Sequence, residues 1–108
     1  MSDTDIEPTA RFQVIAEYRL HTGTERVVLG HIARLAAASR TEPANVSYEF
    51  FRDVEDPTHV VILEQYVDAA GFDAHLKSEH FETIGRAEII PRLAARTVRF
   101  YEGTGQRQ

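Results

Sequence analysis

Cysteine is absent from the 108 residues. Disulfides, thiolate nucleophiles and zinc–thiolate sites are thereby excluded. Positive charge is in short supply: 12 Lys and Arg stand against 17 Asp and Glu, a net charge of −5. The basic residues are scattered and form no stripe that would neutralise phosphates, so nucleic acid is not an expected partner. No apolar run approaches the ~18 residues of a membrane span. A charged content of 27% excludes a buried membrane protein. The opening stretch from Met1 to Pro8 is acidic and polar, without the basic and apolar regions of a signal peptide. These absences lead to the expectation of a cytoplasmic protein with no membrane partner. A glycine-rich phosphate loop is missing too.

What is present suits one globular domain, with 43% apolar residues. A domain this small leaves much apolar surface exposed, and a second copy is a natural way to cover it. Residues 1–10 offer no periodic apolar face and read as a disordered N-terminal tail. Residues 103–108 read as a C-terminal tail, which leaves 11–102 as the domain. Phe12, Val14, Ala16, Tyr18 and Leu20 alternate with polar neighbours, which predicts a first strand. Thr22 and Glu25 have capping-box spacing. Val28, Ile32, Leu35 and Ser39 follow at helical intervals, and Pro43 forces a break. The stretch from Asn45 to Arg52 reads as a second strand. Glu55-Asp56-Pro57-Thr58 is a turn, and His59 to Val67 is a third strand, apolar on both faces and so covered on both. Asp68 is placed to cap a helix bearing Phe72, His75 and Leu76. A further helical piece runs from Glu79 to Ile89, with Ser78 as its cap. Pro91 ends it, and Ala95 to Tyr101 is the last strand. The order is α+β, a ferredoxin-like β-α-β-β-α-β arrangement with an antiparallel sheet and helices on one face.

Two kinds of site compete. His75 and His80 lie near Glu79, with His59 on the adjoining strand, which raises a metal site. Zinc-binding helices set their ligands at i and i+4, whereas His75 and His80 are five apart, about 140° around an ideal helix. The reading is therefore no metal. The alternative is an apolar cleft between sheet and helices with a few polar groups. Ile62, Glu64 and Tyr66 share one strand face, as do Ala16 and Tyr18. If both faces look toward the helices, Tyr18, Glu64, Tyr66 and His75 converge, with Asn45 at the rim. The plain structural reading makes the tyrosines core-edge aromatics and Glu64 the ion-pair partner of Arg40 or Arg96. On the same reading Glu42 and Pro43 are loop structure and Phe81 is core.

Several segments taken in order resemble one family. They are the run from Ser39 to Tyr48 containing Glu42-Pro43-Ala44-Asn45, the Asp56-Pro57 turn, Glu64-Gln65-Tyr66-Val67-Asp68, and His75-Leu76-Lys77-Ser78-Glu79-His80-Phe81. Together they resemble the antibiotic biosynthesis monooxygenases, over residues 12–101. The resemblance implies a dimeric α+β barrel formed by two sheets packed face to face. It also implies a cofactor-independent monooxygenase of the quinol or anthrone type, using O2 on a small aromatic phenol or hydroquinone. On that analogy His75 is the catalytic base or relay, and Glu64 orients it or acts through water. Asn45 holds the substrate oxygen, and Tyr66, Tyr18, Tyr48 and His80 complete the substrate-binding set. A haem-degrading branch requires asparagine, tryptophan and histidine where Tyr18, Tyr66 and Gly85 stand here, which argues against haem. A proton-transfer isomerase of a phosphorylated signalling sugar is the alternative enzyme, and a dimeric small-ligand-binding protein the alternative without turnover.

Overall fold

The computed structural model describes residues 11–103 and the backbone of 105–107; the expected N-terminal tail, 1–10, lies outside the described residues. Strand β1 (Phe12–Leu20) buries every second residue, as the alternation requires. Its buried row, Phe12, Val14, Ala16, Tyr18 and Leu20, faces the helices. On β3 (His59–Tyr66) the buried row is Val60, Ile62, Glu64 and Tyr66. These strands pair antiparallel, with Ala16 opposite Ile62 and Val14 opposite Glu64. Strand β2 (Asn45–Arg52) flanks β3, and β4 (Leu93–Glu102) flanks β1 on the other side. The β2-β3-β1-β4 order is that of a ferredoxin-like sheet. Beyond Glu102 the chain turns at Gly103, whose φ is +65°. Residues 105–107 then pair with β4 as an edge strand, β5 (Gly105–Arg107). No apolar alternation in the sequence announces this strand.

Helix α1 (Glu25–Ser39) buries Val28, Ile32, Leu35, Ala36 and Ser39, the stripe expected from their spacing. It begins later than the Thr22 box predicted. Gly23 takes φ +95°, a left-handed turn that delays the helix. Thr24 becomes the flanking residue, and the Glu25 carboxylate accepts from the Gly23 N–H at 2.8 Å. The main core joins α1 to Tyr18, Leu20, Tyr48, Val60 and Ile62 of the sheet.

Helix α2 (Ala69–Leu76) is eight residues long and starts at Asp68, whose carboxylate accepts from the Gly71 N–H at 2.8 Å. It stops because Ser78 intervenes. The Ser78 hydroxyl donates to the His75 carbonyl at 2.6 Å and accepts from the Phe81 N–H at 3.2 Å. One side chain thus ends α2 and caps the next helix. That helix, α3 (Phe81–Ile89), is wound wide, in π fashion: the Ile90 N–H reaches back five residues to Gly85. A tight turn over Ile90–Arg92, containing Pro91, leads into β4.

Among the described residues, no helix packs on the other face of the sheet. Ile15, Val61 and Leu63 are half-buried there, Phe51 is 53% exposed, and Glu17 joins Arg99 and His59 in ion pairs of 2.9 Å. No helix among the described residues is long and apolar enough to cross a membrane.

Candidate active site

Strand β4 has no fully buried residue, and a recess lies between α2, α3 and the inner sheet face. Within it lies a cavity of about 20 Å³ bordered by Tyr18, Tyr48, Glu64, His75 and Arg96 among Ala16, Phe72, Leu76, Phe81 and Val98. That volume suits about one water molecule. A larger cleft of about 400 Å³ lies outside it, lined by Phe12, Ala69, Ala70, Phe72, Asp73, Leu76 and Phe100. Phe72 and Leu76 border both, so these two side chains are the partition.

His75 is the pivot. It is 2% exposed, with the rings of Tyr48, Tyr66, Phe72 and Phe81 centred 5.1–6.0 Å from its own. Its Nδ1 lies 2.8 Å from Glu42 Oε2. Its Nε2 faces the opposite way, 3.8 Å from Glu64 Oε1. Burial lowers the His75 pKa, against the pull of the Glu42 carboxylate. The favoured form is a neutral imidazole whose Nδ1–H donates to Glu42, which leaves a lone pair on Nε2. A carboxylate thus fixes the tautomer of a histidine, the relation found wherever an acidic group orients a base.

Glu64 is buried on β3, and the Tyr66 hydroxyl donates to its Oε1 at 2.6 Å. Desolvation pushes its carboxyl up to about 7, in spite of the Tyr66 hydrogen bond. The group is therefore poised to exchange a proton near neutrality. Burial also raises the phenols: Tyr18 to about 12, with Tyr48 and Tyr66 moved in the same direction. All three are hydroxyl donors, not phenolates, at working pH. Arg96 sits opposite Tyr18 in the sheet register and hydrogen-bonds to it. It supplies a cation at the cavity wall.

Of the residues singled out in the sequence, Tyr18, Tyr48, Glu64 and His75 meet at the cavity. Tyr66 joins them through Glu64. Asn45 stands apart: its side-chain amide donates to the Ser47 carbonyl at 3.2 Å, and it borders neither the cavity nor the cleft. His80 lies on the far side of Glu42, with its Nε2 against the same Oε2 that His75 contacts. His59 is on the opposite sheet face, paired with Glu17 and Asp53. Arg40, a proposed partner of Glu64, instead donates to the Tyr48 carbonyl at 2.7 and 2.9 Å.

Two contributors were not foreseen. Glu42, expected to be loop structure, is the carboxylate that both histidines address. Arg96 was considered only as an ion-pair partner. The register signal for it was available, since a strand residue opposite Tyr18 faces the same side. No sequence signal pointed to Glu42, which lies 33 residues from His75. The angle that kept His75 and His80 apart assumed one continuous helix. Because α2 ends at Leu76, the two rings come within 6.0 Å, centre to centre. Glu42, His75 and His80 then offer three ligand atoms within 4.8 Å of one another.

Residues 11–87 match the family model for antibiotic biosynthesis monooxygenases. Among solved structures, the chain is similar to an antibiotic biosynthesis monooxygenase at 29% identity and TM-score 0.80, over 86% of this chain and 98% of that one. A candidate antibiotic biosynthesis monooxygenase from Nitrosomonas europaea matches at 23% identity and TM-score 0.81, covering 88% and 94%. A conserved protein from Methanosarcina mazei Go1 matches at 20% and 0.81, covering 89% and 94%. These last two show the shared fold alone. No curated protein matches the sequence.

Proposed function

The chain belongs to the antibiotic biosynthesis monooxygenase family, and from that premise we propose that it oxidises a small aromatic phenol, hydroquinone or anthrone with O2, using no cofactor. The observation that carries this reading is His75, a buried imidazole oriented by Glu42 whose free nitrogen faces a second carboxylate at a cavity wall. A base, its orienting group, a proton acceptor beyond it and a nearby cation are all side chains of this chain.

In the proposed reaction the aromatic ring lies in the outer cleft against Phe12, Phe72 and Phe100. Phe72 and Leu76 part to admit its acidic group to the inner cavity. His75 Nε2 takes the proton, which Glu64 relays. Arg96 and the Tyr18 hydroxyl stabilise the resulting anion. For an anthrone-type CH2, the carbanion adds O2 to give a hydroperoxide, which loses water to leave C=O. One oxygen atom stays in the product and the other leaves as water, and the substrate supplies every electron. Tyr48 and Tyr66 complete the wall. Asn45 and His80, which border neither the cavity nor the cleft, are given no contact with the substrate.

We also propose a homodimer joined through the helix-free sheet face, where Ile15, Val61, Leu63 and Phe51 form an apolar patch ringed by ion pairs.

The test is oxygen uptake by the metal-free protein on a panel of hydroquinones and anthrones. Stoichiometric uptake with an oxygenated product supports the reading. Turnover without uptake would indicate a proton-transfer isomerase. Thermal stabilisation by an aromatic ligand with no turnover would indicate a binding protein.

A further inference from the structure

We propose that Glu42, His75 and His80 form a binding site for a divalent transition metal such as zinc, and that the bound ion switches the His75 base off. The site draws on three separate segments: the loop before β2, the end of α2, and the start of α3. Glu42, His75 and His80 each offer one ligand atom within 4.8 Å of the other two, and Glu42 Oε2 lies against both His75 Nδ1 and His80 Nε2. Two imidazoles and one carboxylate suit borderline ions such as zinc and cobalt, and not magnesium or calcium, which take oxygen ligands. Three protein ligands leave an open coordination position.

Three further observations point the same way. Orienting His75 requires one carboxylate contact, yet a second imidazole also converges on the same oxygen. The other oxygen, Glu42 Oε1, is buried with no hydrogen-bond partner among the described residues, so this carboxylate retains a spare donor atom. His75 turns its remaining nitrogen toward the Glu64 carboxylate, the outer-shell arrangement that accompanies histidine ligands. An approach exists as well: Glu42 borders an open groove of about 480 Å³ between the 42–44 loop and α2.

The consequence for catalysis rests on the reading of His75 as the base. Without metal, the imidazole proton sits on Nδ1 and Nε2 is free to accept. A metal on Nδ1 of the neutral ring forces the remaining proton onto Nε2. That nitrogen then donates, and it cannot take a proton from the substrate. Zinc should therefore inhibit, the opposite of its effect on a metalloenzyme.

The experiment begins with chelator-treated protein. Cobalt(II) is titrated in and followed by its visible ligand-field absorption, and zinc affinity is measured by equilibrium dialysis. The expected result is saturable binding with the intense visible bands of a four- or five-coordinate ion. His80→Ala should weaken zinc by more than about 100-fold, since outer-shell partners alone are worth 10- to 100-fold. His21→Ala, at an exposed histidine away from the site, should change nothing. Weak octahedral cobalt spectra in the wild type, or zinc affinity indifferent to both Glu42→Gln and His80→Ala in folded protein, would overturn the site. The switch is read separately, as loss of oxygen uptake on adding zinc and its recovery with chelator. Zinc that binds at the site but leaves turnover unchanged or raises it overturns the switch. The cobalt and dialysis results need no turnover, so they stand or fall independently of the catalytic assignment.

Discussion

Replacing Glu64 by glutamine should stabilise the protein, and only above the acid range. Glu64 is 6% exposed, and its carboxyl is carried from the ordinary 4.5 to about 7 by burial. A raised carboxyl pKa means that the folded state binds the proton more tightly than the unfolded one. Stability therefore falls as pH rises through the window from 4.5 to about 7, and levels off above it. At about 1.4 kcal/mol per pH unit, the full cost is about 3 kcal/mol. For a chain of this size that is on the order of 10 °C in Tm. Glutamine keeps an oxygen to accept the Tyr66 hydroxyl and carries no charge to desolvate, so its cost should vanish. Other groups titrate as well. Glu17, Asp53 and Asp56 are held low by hydrogen bonds and ion pairs, and the stability they contribute is lost as acid protonates them. His59 is held high by Asp53 and Glu17, and its contribution is lost as pH rises through its folded pKa. These lie on the outer sheet face or in the 53–58 loop, unchanged by the substitution, and cancel in the difference. The assay is denaturant unfolding of wild type and Glu64→Gln at pH 5 and pH 8.5, at equal protein concentration. The gap should widen by roughly 2–3 kcal/mol in favour of the variant at the higher pH. Parallel curves would refute the claim that Glu64 is a desolvated carboxyl. The same variant should lose turnover, because glutamine relays no proton.

His75→Ala should cut turnover by roughly 10² to 10⁴ in the folded fraction; activity retained within a factor of about three, below the span of positioned acid–base catalysis, would move the base elsewhere. Because His75 is enclosed by rings and bonded to Glu42, the alanine variant should also melt lower, so kinetics must be normalised to folded protein. Gly71→Ala should push α2 off the 42–44 loop, since a Cβ there would stand 2.6 Å from Ala44 Cβ; a cost of about 1–3 kcal/mol with slower turnover is expected, and an unchanged melt counts against that packing. Sedimentation should give a dimer burying on the order of 1,600 Å². Leu63→Lys should convert it to monomer, whereas a wild-type monomer at micromolar concentration rules the sheet-face interface out.

The fold was legible because its elements declare themselves over short distances. Alternation on β1, the four-residue stripe on α1 and the Asp68 cap each depend on neighbours within one element, and all three are as the spacing predicts. The misread helix start has the same local scale: Gly23 adopted a conformation that only glycine takes cheaply, and the flanking residue became Thr24, whose side chain makes no capping bond. Strand β5 carries no side-chain pattern to read. It pairs with β4 beyond a glycine turn.

The site was legible where it lies on regular strands and opaque where it depends on a break. Period two puts Glu64 with Tyr66, and Tyr18 with Ala16, on shared strand faces; the structure turns both faces inward, and register adds Arg96 opposite Tyr18. Glu42 has no period to reveal it. It sits in a loop, and its partners come from two helices that the Ser78 hydroxyl links at their junction. Ser78 turns the chain by bonding the end of α2 and the start of α3 together. A continuous helix would send His75 and His80 to different faces and leave Glu42 one histidine. The interrupted one gives it both. Removing that hydroxyl tests the argument. Ser78→Ala should let α2 run on toward α3, swing His80 off the carboxylate and weaken zinc binding, while His75, which precedes the break and is enclosed by rings, keeps its place on Glu42. Turnover of the metal-free protein should therefore suffer far less than zinc affinity. If both fall together, or neither does, the break is not what separates the two histidines' roles.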